Sequence, residues 1–192
     1  MKMGKNAVTA NTPGNILLGA GTWHRNLKWE TNAWTGAVLG ATSGGGKISI
    51  KGEFVDIDVD GALVKFKGQT VKQGGLASAE VNFVELSNDI MKIGTLFEEG
   101  QTDATGFTML QDKEHIEDGD YIENLGFVGF TADGSKQIIV IFENALCTSG
   151  MEIEPKNKEQ SVVKLTFDAV ANTDSDLTTL HVKIYYPQIP VV

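Results

Sequence analysis

At 192 residues, 41 % of them apolar, the chain is long enough for one ordinary domain with a real core. Its net charge of −9, from 25 acidic against 16 basic side chains, excludes a grip on nucleic acid through phosphate neutralisation, which needs Lys and Arg, and fits a surface that repels DNA. A single cysteine, Cys147, excludes an internal disulfide. The opening Met1-Lys2-Met3-Gly4-Lys5 is followed by Asn6, Thr9, Asn11, Thr12 and Asn15 rather than by an apolar segment. No signal peptide is therefore expected, and the chain reads as made in the cytoplasm.

Frequent glycine (22) and scarce proline (4) between short β-branched runs point to an all-β fold. The first strand is expected at Ile16–Thr22, and its apolar run, Ile16–Ala20, is too short to span a bilayer. Lys28–Gly46 has no regular period and reads as a long loop that carries Trp29 and Trp34 and ends in Gly44, Gly45 and Gly46. Tryptophan in a polar, glycine-rich loop seeks a partner surface. The alternative is that the loop folds back and tucks both indoles into its own domain.

Asp60-Gly61 is a two-residue hairpin signal. The register it implies sets Val59 against Ala62, Ile57 against Val64 and Val55 against Phe66 on one face, with Asp56 facing Lys65 on the other. A further strand is expected at Ala79, Val81 and Phe83. A helix follows, capped by Ser87 or Asn88, with Asp89 in its first turn and Ile90, Ile93 and Leu96 or Phe97 as its apolar stripe. Glu98–Asp120 is acidic and irregular, and reads as a second excursion.

A second hairpin is centred on Asp133-Gly134. It pairs Leu125 with Phe142, Phe127 with Val140 and Gly129 with Ile138 on one face, and Gly126 with Ile141 and Val128 with Ile139 on the other. Both faces are apolar, so the pair needs two covers: the core, and either a helix or a neighbouring subunit. Val163, Leu165, Phe167 and Ala169 form a strand with one wet face, as do Leu180, Val182, Ile184 and Tyr186, joined by the polar loop Asn172–Asp176. With no internal repeat or linker, residues 1–192 read as one domain with excursions at 28–46 and 98–120.

The motifs that imitate chemistry fail on inspection. Asp56-x-Asp58-x-Asp60-Gly61 opens like a calcium loop, but its twelfth position is Lys67 instead of a bidentate Glu. Gly46-Lys47 lacks the phosphate-loop partners, with Ala41 and Ile48 where Gly and Ser or Thr belong. Gly19-Ala20-Gly21 starts a dinucleotide fingerprint that ends on His24 with no βαβ unit. His24, His115 and His181 have no metal spacing with Cys147, which reads as a small buried hydrophobe. Glu114, Glu117, Asp118 and Asp120 read as solvated loop charge. The chain is accordingly read as a structural subunit and not an enzyme, with no catalytic, cofactor or metal site.

Three stretches carry a family resemblance: Gly52–Gly68 (GEFVDIDVDGALVKFKG), Val71–Leu86 (VKQGGLASAEVNFVEL) with the helix after it, and Gly150–Phe167 (GMEIEPKNKEQSVVKLTF). Together they resemble the major tail proteins, or tail tube proteins, of long-tailed, siphovirus-like bacteriophages. The resemblance implies an antiparallel β-sandwich or barrel with one flanking α-helix and a long extended loop. It implies a virion protein, assembled in the host cytoplasm, that forms stacked and hexameric rings around a tape-measure protein, bounded by tail-tip and terminator proteins. DNA passes transiently through the lumen, and no membrane insertion or cofactor is involved.

On this reading Trp29, Trp34, Gly44, Gly45 and Gly46 make the inter-ring loop. Phe127, Val128, Ile139 and Ile141 face the next subunit. Asp56 and Asp58 line the lumen or face outside solvent, since alternation fixes their face but not its direction. Six copies of a −9 chain carry −54 per ring, which lets DNA slide without sticking. The second reading is a receptor- or glycan-binding β-sandwich of a tail tip.

Overall fold

The computed structural model describes Val8 and residues 12–101, 105–155 and 157–187. In chain order it contains β1 (Leu17–Glu30), β2 (Ala33–Val38), β3 (Thr42–Asp56), β4 (Thr70–Phe83), α1 (Asn88–Thr95), β5 (Glu98–Gly100), β6 (Met109–Gln111), β7 (Ile122–Thr131), β8 (Gln137–Cys147), β9 (Val163–Asp168) and β10 (Val182–Tyr185). The fold is mostly β and antiparallel throughout, with one α-helix among the described residues. The strand path is β2-β1-β7-β8-β9-β4-β3, and β10 pairs beside β9 on the same side of β8.

β8 is the hinge of a sandwich. Its first half pairs with β7 and β10, and its last residues pair Leu146 with Asp168 and Cys147 with Phe167 of β9. The two wings close on one core. Trp23, Leu125, Phe127, Val140 and Phe142 come from one wing, and Ala79, Val81, Phe83, Val163, Leu165 and Phe167 from the other. The period of 2 in each strand delivers these side chains to one face. The Trp23 ring centroid lies 5.1 Å from that of Phe127 and 6.4 Å from that of Phe142. Helix α1 closes one end with Ile90 and Ile93, both buried. The Ser87 hydroxyl caps it by accepting from the Ile90 N–H at 3.2 Å, and Leu96 ends it in a left-handed conformation.

The β7–β8 register is the one the sequence implies, from Leu125 opposite Phe142 to Gly129 opposite Ile138. Its second cover is neither of the two expected, the helix or a neighbouring subunit. Val128, Ile139 and Ile141 pack under Leu27 and the half-buried Trp34, so the chain's own β1–β2 hairpin supplies the cover. Phe127 lies on the opposite, core face. All four residues assigned to a subunit interface are thus buried within one chain.

The expected loop at 28–46 is replaced by strands. Thr31 and Asn32 both have positive φ (49° and 61°), the signature of a two-residue type I′ turn, and this turn joins β1 to β2. Gly44 and Gly45, at φ 75° and 78°, form a bulge in β3, where the Asn82 side-chain amide donates to the Gly45 carbonyl at 2.9 Å. Removing 29–45 would therefore take out an edge strand and the buried Leu39 instead of a loop.

The Asp60-Gly61 turn exists, with the Ala62 N–H bonded to the Val59 carbonyl at 3.1 Å, but the register expected around it does not. Only Gly61 has positive φ, which gives a type II pattern that splays the flanking chain. The ladder begins instead at Asp56 opposite Thr70 and Val55 opposite Val71, and residues 57–69 form an irregular tip. The expected contact between Asp56 and Lys65 survives as a 2.7 Å ion pair between strand end and tip.

Candidate functional site

Two surface features stand apart from the packed sandwich. The first is the β3–β4 hairpin. Its twelve paired positions run from Thr42–Phe83 to Asp56–Thr70, but β4 is buried only from Ala77 onward. The distal half, residues 49–76, is an arm that leaves the core. Phe54, Val55, Ile57, Val59, Phe66, Val71 and Leu76 are exposed on it, and Leu63 and Val64 at the tip are 98 % and 79 % exposed. An isolated chain gains nothing from so much bare apolar surface, which marks an interaction site. β3 is also a long edge strand whose outer side is unpaired among the described residues, a template for another chain.

The second feature is an aromatic groove of about 720 Å³ on the outer face of the other wing, lined by Trp29, Trp34, Phe130, Ile139, Tyr185 and Tyr186 among others. The Trp34 ring is its centre. It meets Trp29 at 5.3 Å and 64°, and Tyr185 at 4.8 Å and 70°, both edge-on geometries favoured by ring quadrupoles. Trp29 remains 55 % exposed. The β1–β2 turn thus tucks one indole over the sheet and presents the other.

Beside the groove lies a polar cavity of about 460 Å³ that contains Glu143, Ser175, His181 and Lys183. His181 Nδ1 lies 3.5 Å from Glu143 Oε2, and Ser175 Oγ lies 3.4 Å from His181 Nε2, which has the outline of a nucleophile, base and orienting acid. The hydrogen bonds run the wrong way for that chemistry. Nε2 sits 3.0 Å from the Asp176 carbonyl, which only accepts, so Nε2 carries the proton. The Ser175 hydroxyl donates to the Asn172 carbonyl at 2.7 Å. Lys183 Nζ bonds the Glu143 carboxylate, and this raises the lysine's pKa. The cluster ties β10 and its preceding loop to β8.

Burial pushes the Cys147 thiol up, the reverse of an activated nucleophile, and its side-chain neighbour is Ser149 at 3.8 Å. His24 bonds Thr22 and His115 sits beside Glu114, both far from Cys147 in the hydrogen-bond pattern. No group of three metal-ligating side chains occurs among the described residues. In the acidic segment, Asp120 and Glu117 are not merely solvated: they hold the nearly buried Lys113 at 2.6 and 3.6 Å.

The residues singled out by sequence are dispersed. Trp29 and Trp34 come together in the groove, whereas Gly44, Gly45 and Gly46 lie in the β3 bulge opposite Asn82 and Val81. Asp56 is paired with Lys65 and accepts from the Thr70 hydroxyl, and these hydrogen bonds lower its pKa. Asp58 at the tip has no hydrogen bond or ion pair to the described residues and is exposed. Sequence reasoning missed Phe130, Tyr185 and Tyr186 as groove walls, and the arm as an uncovered element. The alternation Leu27-Lys28-Trp29-Glu30 followed by Thr31-Asn32 and Ala33-Trp34 carries the hairpin signal that would have found the groove.

No protein-family model matches the chain, and no curated protein matches it significantly.

Proposed function

We propose that this chain is a self-assembling structural subunit of a bacteriophage tail tube, stacking in rings to form a hollow conduit for DNA. The observation that carries this reading is the β3–β4 arm, whose apolar side chains have no cover among the described residues. Burying them between copies supplies the driving force for assembly at ~25 cal/mol per Å² of apolar surface removed from water. The antiparallel sandwich with one helix supports the reading, as do the sequence stretches that resemble the family. The unpaired outer edges of β2 and β3 end the strand path at different places, which suits head-to-tail pairing between copies. The net charge of −9 suits a conduit to which DNA does not adhere.

The test is to replace residues 57–69 by Asn-Gly, which joins the paired Asp56 and Thr70 through a two-residue turn. The shortened chain is expected to keep its fold by near-ultraviolet circular dichroism and to sediment as a monomer at concentrations where the intact chain assembles. A shortened chain that still polymerises would remove the arm from this account.

A further inference from the structure

The arm tip and the aromatic groove are two uncovered apolar surfaces on one chain, and their charges are complementary. At the groove, Lys136 Nζ lies 3.1 Å from the neutral Asn15 Oδ1 and 5.9 Å above the Tyr186 ring, and it forms no ion pair among the described residues, the Asp133 carboxylate of the same turn being held instead by Thr131 and Ser135. At the tip, Asp58 and Asp60 are exposed and form no ion pair among the described residues, and Lys65 is taken by Asp56. The volume, about 720 Å³, is of the size that takes several side chains. None of residues 49–72 lines the groove, and the two features belong to different wings of the sandwich, so a chain does not fill its own groove.

We infer that the arm tip, Ile57–Phe66, of one copy seats in the aromatic groove of the next, with Leu63 and Val64 against Trp29, Trp34 and Tyr185 and an aspartate of the tip facing Lys136. This rests on the self-assembly proposed above and specifies its contact. Each copy offers one tip and one groove, so the contact is heterologous and propagates from copy to copy. Aromatic anchors surrounding an aliphatic plug are the arrangement in which few residues carry most of an interface's energy. The lysine sets register and encounter rate more than affinity.

The experiment uses two double variants of the full chain. Leu63→Glu with Val64→Glu spoils the tip at its most exposed apolar positions, and Trp29→Ser with Lys136→Glu spoils the groove. Each alone is expected to raise the concentration needed for assembly at least tenfold, with thermal unfolding of the monomer little changed. Mixed, they should form a 1:1 dimer and stop, because only one sound tip and one sound groove remain. Asp58→Lys with Asp60→Lys should restore assembly to Lys136→Glu. Variants that assemble like the parent chain, or that stay apart when mixed, overturn the tip-in-groove contact while leaving self-assembly standing, and give the groove to a ligand other than this chain. A parent chain that stays monomeric at every concentration overturns the contact and the tube reading together.

Discussion

Trp29 and Trp34 face each other across the β1–β2 hairpin, paired in register with their ring centroids 5.3 Å apart and their planes at 64°. One is exposed and the other is pressed onto Leu27, Val128, Ile139 and Ile141. That pair decides how the apolar back of the β7–β8 hairpin is covered: from inside the chain.

If the cover is internal, truncating beneath it must destabilise the lone subunit. Ile141 is 4 % exposed. Ile141→Ala is expected to lower the unfolding free energy of the monomer by about 2–4 kcal/mol, the cost of lost transfer plus an unfilled cavity. Urea denaturation of dilute, unassembled protein measures it, and a change under ~0.5 kcal/mol would mean that the cover comes from elsewhere.

The turn between these tryptophans is strained. Thr31 is β-branched and sits at φ 49°, a region costly for such residues. Replacing Thr31-Asn32 by Asn-Gly should stabilise the chain by about 1 kcal/mol, seen as a higher denaturation midpoint at unchanged slope.

Gly126 leaves no room for a side chain. A Cβ built there would lie 2.3 Å from Leu27 Cδ2 and 2.5 Å from Leu27 Cβ. Gly126→Ala is expected to cost about 1–3 kcal/mol through overpacking of the β1–β7 contact. The thermal unfolding midpoint reports it, and an unchanged midpoint would show that Leu27 is free to move.

Asp133 anchors the β7–β8 turn. Its carboxylate accepts from the Thr131 hydroxyl at 2.7 Å, the Ser135 N–H at 3.1 Å and the Ser135 hydroxyl at 2.8 Å, and these bonds, that of Thr131 foremost, pull its pKa from 3.8 down to about 2. The unfolded chain binds this proton more readily, so the turn's contribution is full above pH ~4 and is lost as pH falls through ~2. Carboxyl ¹³C titration should place the Asp133 midpoint near the lower value, and Asp133→Asn should flatten the acid side of the stability profile between the two.

Local pattern made much of the fold legible, and its failures are physical. The β7–β8 register followed from centring the hairpin on Asp133-Gly134, since two apolar faces alone leave a one-residue slip unmarked. The α1 cap at Ser87 followed from hydroxyl chemistry next to an Ile90–Ile93 stripe. At Asp60-Gly61 the dipeptide formed its turn, but only Gly61 took the left-handed conformation, and pairing on β9 fixed β4 in another register. The residues 28–46 defeated periodicity because the bulges at Asn26 and at Gly44–Gly45 break the alternation in β1 and β3. The groove joins Trp29 to Tyr185 across most of the chain, a proximity created by β10 pairing on β8.

The most direct test of the central claim is negative-stain electron microscopy of the purified chain at high concentration, beside the variant in which residues 57–69 are replaced by Asn-Gly. The account predicts hollow rings or tubes for the intact chain and discrete particles for the shortened one. Discrete particles for the intact chain at every concentration, with or without tail-tip proteins added to initiate polymerisation, would contradict it.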